Sequence, residues 1–290
     1  MIIQNNKNYK AIGYAILAAG LYAISFPFSK ILLKELNFVL LAAFLYLGAG
    51  LGTLLLRLLL FNRSKIFTFH KKELPYVYGM ILLDVIAPIA LLIGLMSTNA
   101  ATASLLNNFE IVATAIIALL LFKEHISKKL WLAIFLITIA SIILSIENFE
   151  DLKFSYKILF IILACICWGF ENNCTRMLSH NNPLDITIIK GFGSGIISLL
   201  IAYFAYEWQI KINYAIAALL LGFAAYGMSI FFYVYAQRFL GAAKTSTYYA
   251  IAPFIGVILS FIFLKENLNY NFWIALIIMI SGTYFATTTK

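Results

Sequence analysis

The 290-residue chain is 63% hydrophobic and only 11% charged, against about 45–50% and about 25% in soluble domains. That composition excludes a water-soluble globule. The formal charge of +9, from 21 Lys and Arg against 12 Asp and Glu, would suggest a nucleic-acid partner in a soluble protein; here the charges punctuate apolar runs, so they report membrane orientation and no nucleic acid is expected.

A helix needs about 17–25 apolar residues to cross the hydrocarbon core, and open sheet edges cannot sit in lipid. Ten runs meet the need in chain order: 11–30, 37–60, 75–96, 99–122, 130–147, 156–178, 184–206, 213–236, 243–264 and 270–287. The expectation is an all-α integral membrane protein of ten transmembrane helices joined by short connections. The first run follows Lys7 and Lys10, yet it outruns the roughly 7–15 residues of a cleaved signal core and is read as a retained helix. Cys165, Cys167 and Cys174 share the sixth run without the His pairing of a metal site, so they read as packing thiols. No metal or cofactor is expected.

Placing both ends and the even connections on one side divides the Lys and Arg residues unevenly, 15 against 6. The first side carries Lys10, Arg57, Arg63, Lys65, Lys71, Lys72, Lys123, Arg176, Lys190 and Lys290 among others, and the second includes Lys30, Lys34, Lys211 and Lys265. By the positive-inside rule both termini face the cytoplasm. The stretch around Glu147, Glu150 and Asp151 then lies outside.

Three pairs of segments repeat in the same order at nearly one offset. Tyr22-Ala23 with Ser29-Lys30 matches Trp168-Gly169 with Thr175-Arg176, 146 residues on. Gly48 to Gly52 matches Gly191 to Gly195 at 143, and Lys123-Glu124 matches Lys265-Glu266 at 142. The glycine runs suit close helix packing. Each half holds five helices, an odd number, so the second half enters the membrane from the opposite side. The division reads as a first repeat over 1–147, a connection over 148–155 and a second, inverted repeat over 156–290.

Ten helices in two inverted five-helix repeats, with an aromatic-small-x(5)-[Ser/Thr]-[Lys/Arg] end to the first helix of each, resemble the EamA branch of the drug/metabolite transporter superfamily. Tyr22-Ala23 departs from the usual Trp-Gly, and Glu110 stands where many relatives have an apolar or proline-containing stretch. The resemblance implies a central cavity walled by helices 1, 3, 4, 6, 8 and 9, and export or exchange of a small metabolite. On those helices Tyr22, Trp168, Tyr226, Tyr248 and Tyr249 become candidate cavity residues.

Three acids interrupt apolar runs, where a charge costs about 2.5–3.5 kcal/mol on insertion scales. Glu110 lies mid-run with Asn107 three residues earlier on the same face; it is the first choice for binding an amine or a coupling proton. Glu171 precedes Asn172 and Asn173 and has Arg176 and Lys190 as potential partners. Asp84 sits four residues before Pro88, whose ring disrupts the carbonyl bonding one turn back. His70, His125 and His180 fall at run ends and read as interfacial.

With no Walker motif, the reading is a secondary transporter of the cytoplasmic membrane, working by alternating access. Its cargo is expected to be an amino acid, amine or related polar or cationic solute, driven by protons or by exchange. An intramembrane enzyme acting on a lipid is the rival class, and a channel would need a continuous polar ring. Membrane lipid is the expected surround, and the chain is either a monomer or a homodimer.

Overall fold

A computed structural model describes residues 2–60, 70–123, 126–148, 153–154, 156–206 and 210–288. Arg63, Lys65, Glu124, His125, Glu150, Asp151 and Lys290 lie outside them, as do the side chains of Lys7 and Glu147.

The first half comprises α1 (Ile2–Ala23), α2 (Ser25–Leu32), α3 (Phe38–Leu60), α4 (Leu74–Ser97), α5 (Ala100–Leu106), α6 (Phe109–Phe122) and α7 (Lys128–Ser145). A minimal antiparallel pair, β1 (Ile146–Asn148) and β2 (Lys153–Phe154), follows, with Ile146 opposite Phe154. The second half holds α8 (Ile158–Leu178), α9 (Pro183–Ala205), α10 (Ile212–Leu221), a π-helical segment Gly222–Met228, α11 (Ser229–Leu240), α12 (Ala242–Tyr249), α13 (Ala252–Leu264) and α14 (Tyr270–Thr287). Among the described residues nine helical spans are long and apolar enough to cross a membrane, with Ala252–Leu264 as a shorter apolar helix.

Three of the expected continuous runs are interrupted, the run 11–30 by a turn at Ile24 between α1 and α2. Within 99–122 the chain turns at Asn107-Asn108, where Asn108, Glu110 and Ile111 donate their N–H groups to carbonyls only three residues back. Consecutive Asn residues have low helix propensity because their amides compete for the backbone. The run 243–264 breaks at Ala250-Ile251, just before Pro253 in the first turn of α13; proline is tolerated there because that N–H has no helical acceptor. This leaves Ala252–Leu264 short of a full span and explains the difference from ten unbroken runs. The last two breaks fall 143 residues apart, and the helices that follow them end on Lys123 and Lys265, both left-handed (φ 55° and 49°).

The most extensively packed pairs are α3 with α9, α4 with α8, α7 with α14, α3 with the π-helical segment, and α1 with α11. Glycines permit the closest of these approaches. A Cβ on Gly191 would stand 2.3 Å from the Gly50 nitrogen, and one on Gly222 would stand 2.1 Å from the Leu45 carbonyl oxygen. The two glycine runs seen in the sequence therefore pack against each other across α3 and α9.

Candidate functional site

Where the halves meet, α1, α3, α4, α6, α8, α9, α11, α12 and the π-helical segment enclose a cavity. It holds about 480 Å³ of atom-free space, of which about 60 Å³ admits the centre of a water molecule. Since about 10–15 Å³ of such space suffices for one water, this conformation has room for a few waters or a small polar group.

One wall carries three charges. The Lys190 ammonium lies 2.8 Å from Glu171 Oε1 and 3.1 Å from Asp84 Oδ2. All three residues are buried, Asp84 to within 1%. Tyr46 donates its hydroxyl to Asp84 Oδ1 at 2.9 Å, and Thr175 donates to Glu171 Oε1. The expected partnership of Glu171 with Lys190 is thus present. Pro88 sits inside a continuous α4, and the Asp84 side chain engages α3 and α9.

Glu110 occupies a different part of the cavity. Far from being at mid-helix, it stands in the first turn of α6, because the Asn107-Asn108 break interrupts the run. Unpaired N–H groups at a helix start favour a carboxylate there. Asn172 donates to its Oε1 at 2.6 Å, and Asn107 to its Oε2 at 3.4 Å. Gln237 donates to the Asn172 backbone carbonyl at 3.4 Å. Among the described residues Glu110 forms no ion pair.

Aromatic rings close the cavity. Tyr22 packs against Phe26, Trp168, Tyr226 and Tyr249, with centroids 5.5–6.1 Å apart. Tyr226 also faces Tyr46 at 5.3 Å, and Tyr249 meets Tyr233 at 4.9 Å. The Tyr22 hydroxyl is buried without a hydrogen-bond partner among the described residues. Tyr226 projects from the π-helical segment, a geometry that often marks functional positions in helices.

Of the residues singled out in the sequence, Glu110, Glu171, Asp84, Tyr22, Trp168, Tyr226 and Tyr249 line this one cavity. Asn107 sits behind it as a hydrogen-bond donor. Tyr248 lies elsewhere: it packs by Ala11, Ala15 and Ala236 and borders an outer groove with Ile16 and Tyr284, because successive residues on a helix point about 100° apart. Lys190, Tyr46, Asn172, Tyr233, Ser229 and Ile230 complete the lining. The signal for Lys190 was present, since a cation seven residues into an apolar run is as costly as an acid there. It belongs among the buried charges and not with the residues that report orientation.

Polar contacts hold both ends of the bundle. On the face bearing Thr98, Lys30 donates to the carbonyls of Leu95 and Thr98, and Glu266 accepts the Ala100 and Ala101 N–H groups at 2.7 and 3.0 Å. On the opposite face Glu73 accepts from the His70 N–H at 2.7 Å and from Asn181 at 3.0 Å, and pairs with His180 at 2.8 Å. Burial raises the Glu73 pKa, but these contacts outweigh it and hold the carboxyl below its ordinary value of 4.5.

The chain matches the profile of the EamA-like transporter family twice, over residues 9–146 and 155–288. It is 24% identical to a protein of Methanothermobacter thermautotrophicus described as an uncharacterized transporter, covering 93% of this chain and 83% of that one. It is 25% identical to the uncharacterized transporter YyaM of Bacillus subtilis, over 58% of each chain. A solved crystal structure superposes with a TM-score of 0.69 at 14% identity, covering 96% of this chain and 95% of the other, a likeness of fold.

Proposed function

Since the chain belongs to the EamA-like transporter family, we propose that it is a secondary carrier that moves a small amino-bearing solute across the cytoplasmic membrane by alternating access. Its architecture on this reading is ten membrane-crossing segments in two inverted repeats with both termini cytoplasmic. The double profile match, the equivalent helix breaks 143 residues apart and the paired left-handed lysines support it. So does the packing, in which α4 on α8 has its counterpart in α11 on α1. Such pseudo-equivalent halves can exchange conformations, exposing a central site to either side in turn.

The observation that carries the solute assignment is Glu110. Its carboxylate faces the cavity, is held by the Asn107 and Asn172 amides, and has no cationic partner among the described residues. A solute ammonium supplies the missing charge. Tyr22, Trp168, Tyr226 and Tyr249 surround the space with aromatic faces and edges, and a cation over such a face gains about 0.5–2 kcal/mol. The buried triad is less suited to the cargo, because Lys190 already occupies the position between its two acids.

The test is the thermal stability of purified wild type and Glu110→Gln against amines, amino acids, nucleosides and organic anions, since a ligand at 100 times its Kd stabilises the folded state by about 2.7 kcal/mol. An amine-specific rise in melting point that vanishes in the variant supports the assignment. A rise with anions that survives the variant overturns it.

A further inference from the structure

We infer that Asp84, Glu171 and Lys190 form a proton-binding site distinct from the solute site, with the exchangeable proton on Asp84 Oδ2 and Lys190 as a tethered counter-ion. This rests on reading the chain as a carrier whose solute is held at Glu110.

The charge count comes first. Two carboxylates and one ammonium, all nearly sealed from water, carry a net charge of −1 when fully ionised. A buried net charge is costly, and one proton removes it. The cluster therefore has two states that differ by one proton, with Lys190 remaining an ammonium in both. The second observation is geometric. Each carboxylate already accepts a fixed hydroxyl, Tyr46 on Asp84 Oδ1 and Thr175 on Glu171 Oε1. Glu171 Oε1 also takes a hydrogen bond from Lys190 at 2.8 Å. Asp84 Oδ2 lies 3.1 Å from Lys190 and, among the described residues, takes no hydroxyl or amide hydrogen bond. Beyond that ion pair its lone pairs are free for a proton. The proton arrives from water in the cavity: hydronium becomes water, an O–H bond forms at Oδ2, and no other bond breaks.

The groups facing this site come from five elements. Asp84 is on α4, Glu171 and Cys174 on α8, Lys190 on α9, Tyr46 on α3, and Tyr226 on the π-helical segment; Glu110 on α6 lines the same cavity. Only Asp84, Glu171 and Glu110 are carboxylic acids. Glu110 is neutralised by a solute ammonium and the triad by a proton, so the two loads occupy separate positions and each affects the other through the field across the cavity. A tethered ammonium also fills the place between the acids where a free metal cation would otherwise bind.

The experiment is an infrared pH titration of the ligand-free protein in lipid, following the C=O stretch of a protonated carboxylic acid in wild type, Asp84→Asn, Glu171→Gln and Glu110→Gln. All three substitutions are nearly isosteric, and Glu171→Gln repeats the test should Asp84→Asn fold poorly, because either change removes the net charge that calls for the proton. The expected result is two reversible buried-acid components: one from the unpaired Glu110 of the ligand-free protein, lost only in Glu110→Gln, and one from the triad, which persists in Glu110→Gln and is lost in both Asp84→Asn and Glu171→Gln. A single component lost only in Glu110→Gln, loss of the triad component in Glu171→Gln alone, or its persistence in all three variants overturns the assignment. No solute is used, so the result stands apart from the solute reading. That reading fails separately, if the amine-induced rise in melting point survives in Glu110→Gln.

Discussion

Tyr22 and Trp168, which hold the same place in the two halves 146 residues apart, meet edge to face with ring centroids 6.1 Å apart beside the cavity. The contact brings the signature position of each half to one point, so any motion of one half against the other must repack it. Edge-to-face aromatic pairs contribute about 0.5–1.5 kcal/mol beyond their buried area. An energy of that size holds a conformation without locking it.

The unpartnered hydroxyl of Tyr22 makes this side of the cavity testable. An unmet buried hydroxyl costs about 1–3 kcal/mol, so Tyr22→Phe is expected to melt no lower than wild type without ligand. Its amine-induced stabilisation should shrink if the hydroxyl serves the solute. A lower melting point with unchanged ligand response would make the hydroxyl structural.

Lys190→Met leaves Asp84 and Glu171 buried without their counter-ion. Breaking a buried pair on one side costs about 3–5 kcal/mol. Adding Asp84→Asn to Lys190→Met should restore part of that loss, because it removes a charge left alone. Denaturation of the single and double variants checks this, and additive losses would contradict the coupling.

The glycines at the α3 interface are not interchangeable with those elsewhere. In Gly222→Ala the new methyl would stand 2.1 Å from the Leu45 carbonyl oxygen, forcing two backbones apart at a cost of about 1–3 kcal/mol or more. Gly20→Ala meets nothing within 4 Å and should gain up to about 1 kcal/mol from helix propensity. Melting points of the two variants should therefore move in opposite directions.

Glu73 gives the acid limb of stability. Its pKa is lowered on folding, so its contribution is fully present above the unfolded value and fades as pH falls through the folded one. Glu73→Gln should therefore lose stability relative to wild type at neutral pH, and the gap should close in acid below the ordinary carboxylate range. Melting points across that range check the sign.

Much of this was legible in the sequence, because the signals were energetic. The spans follow from run length, and Asp84, Glu110 and Glu171 stood out because acids in lipid are costly; all three line the cavity. What periodicity could not give was local. The Asn107-Asn108 break turns a mid-run glutamate into a helix-start glutamate, and the π-helical segment aims Tyr226. Tyr248 and Tyr249 are neighbours in sequence, but only Tyr249 faces the cavity. Lys190 carries the same energetic signal as the acids, but basic side chains within two turns of a helix start ordinarily reach water, which favours the orientation reading.

The most direct measurement of the central claim is exchange in vesicles. Wild type and Glu110→Gln are reconstituted into vesicles loaded with the membrane-impermeant amine or amino acid that best stabilises the wild type, and entry of the labelled compound is followed. The account expects wild type to speed entry well above protein-free vesicles and Glu110→Gln to match the protein-free rate. Equal, rapid exchange by both proteins would contradict a solute site at Glu110.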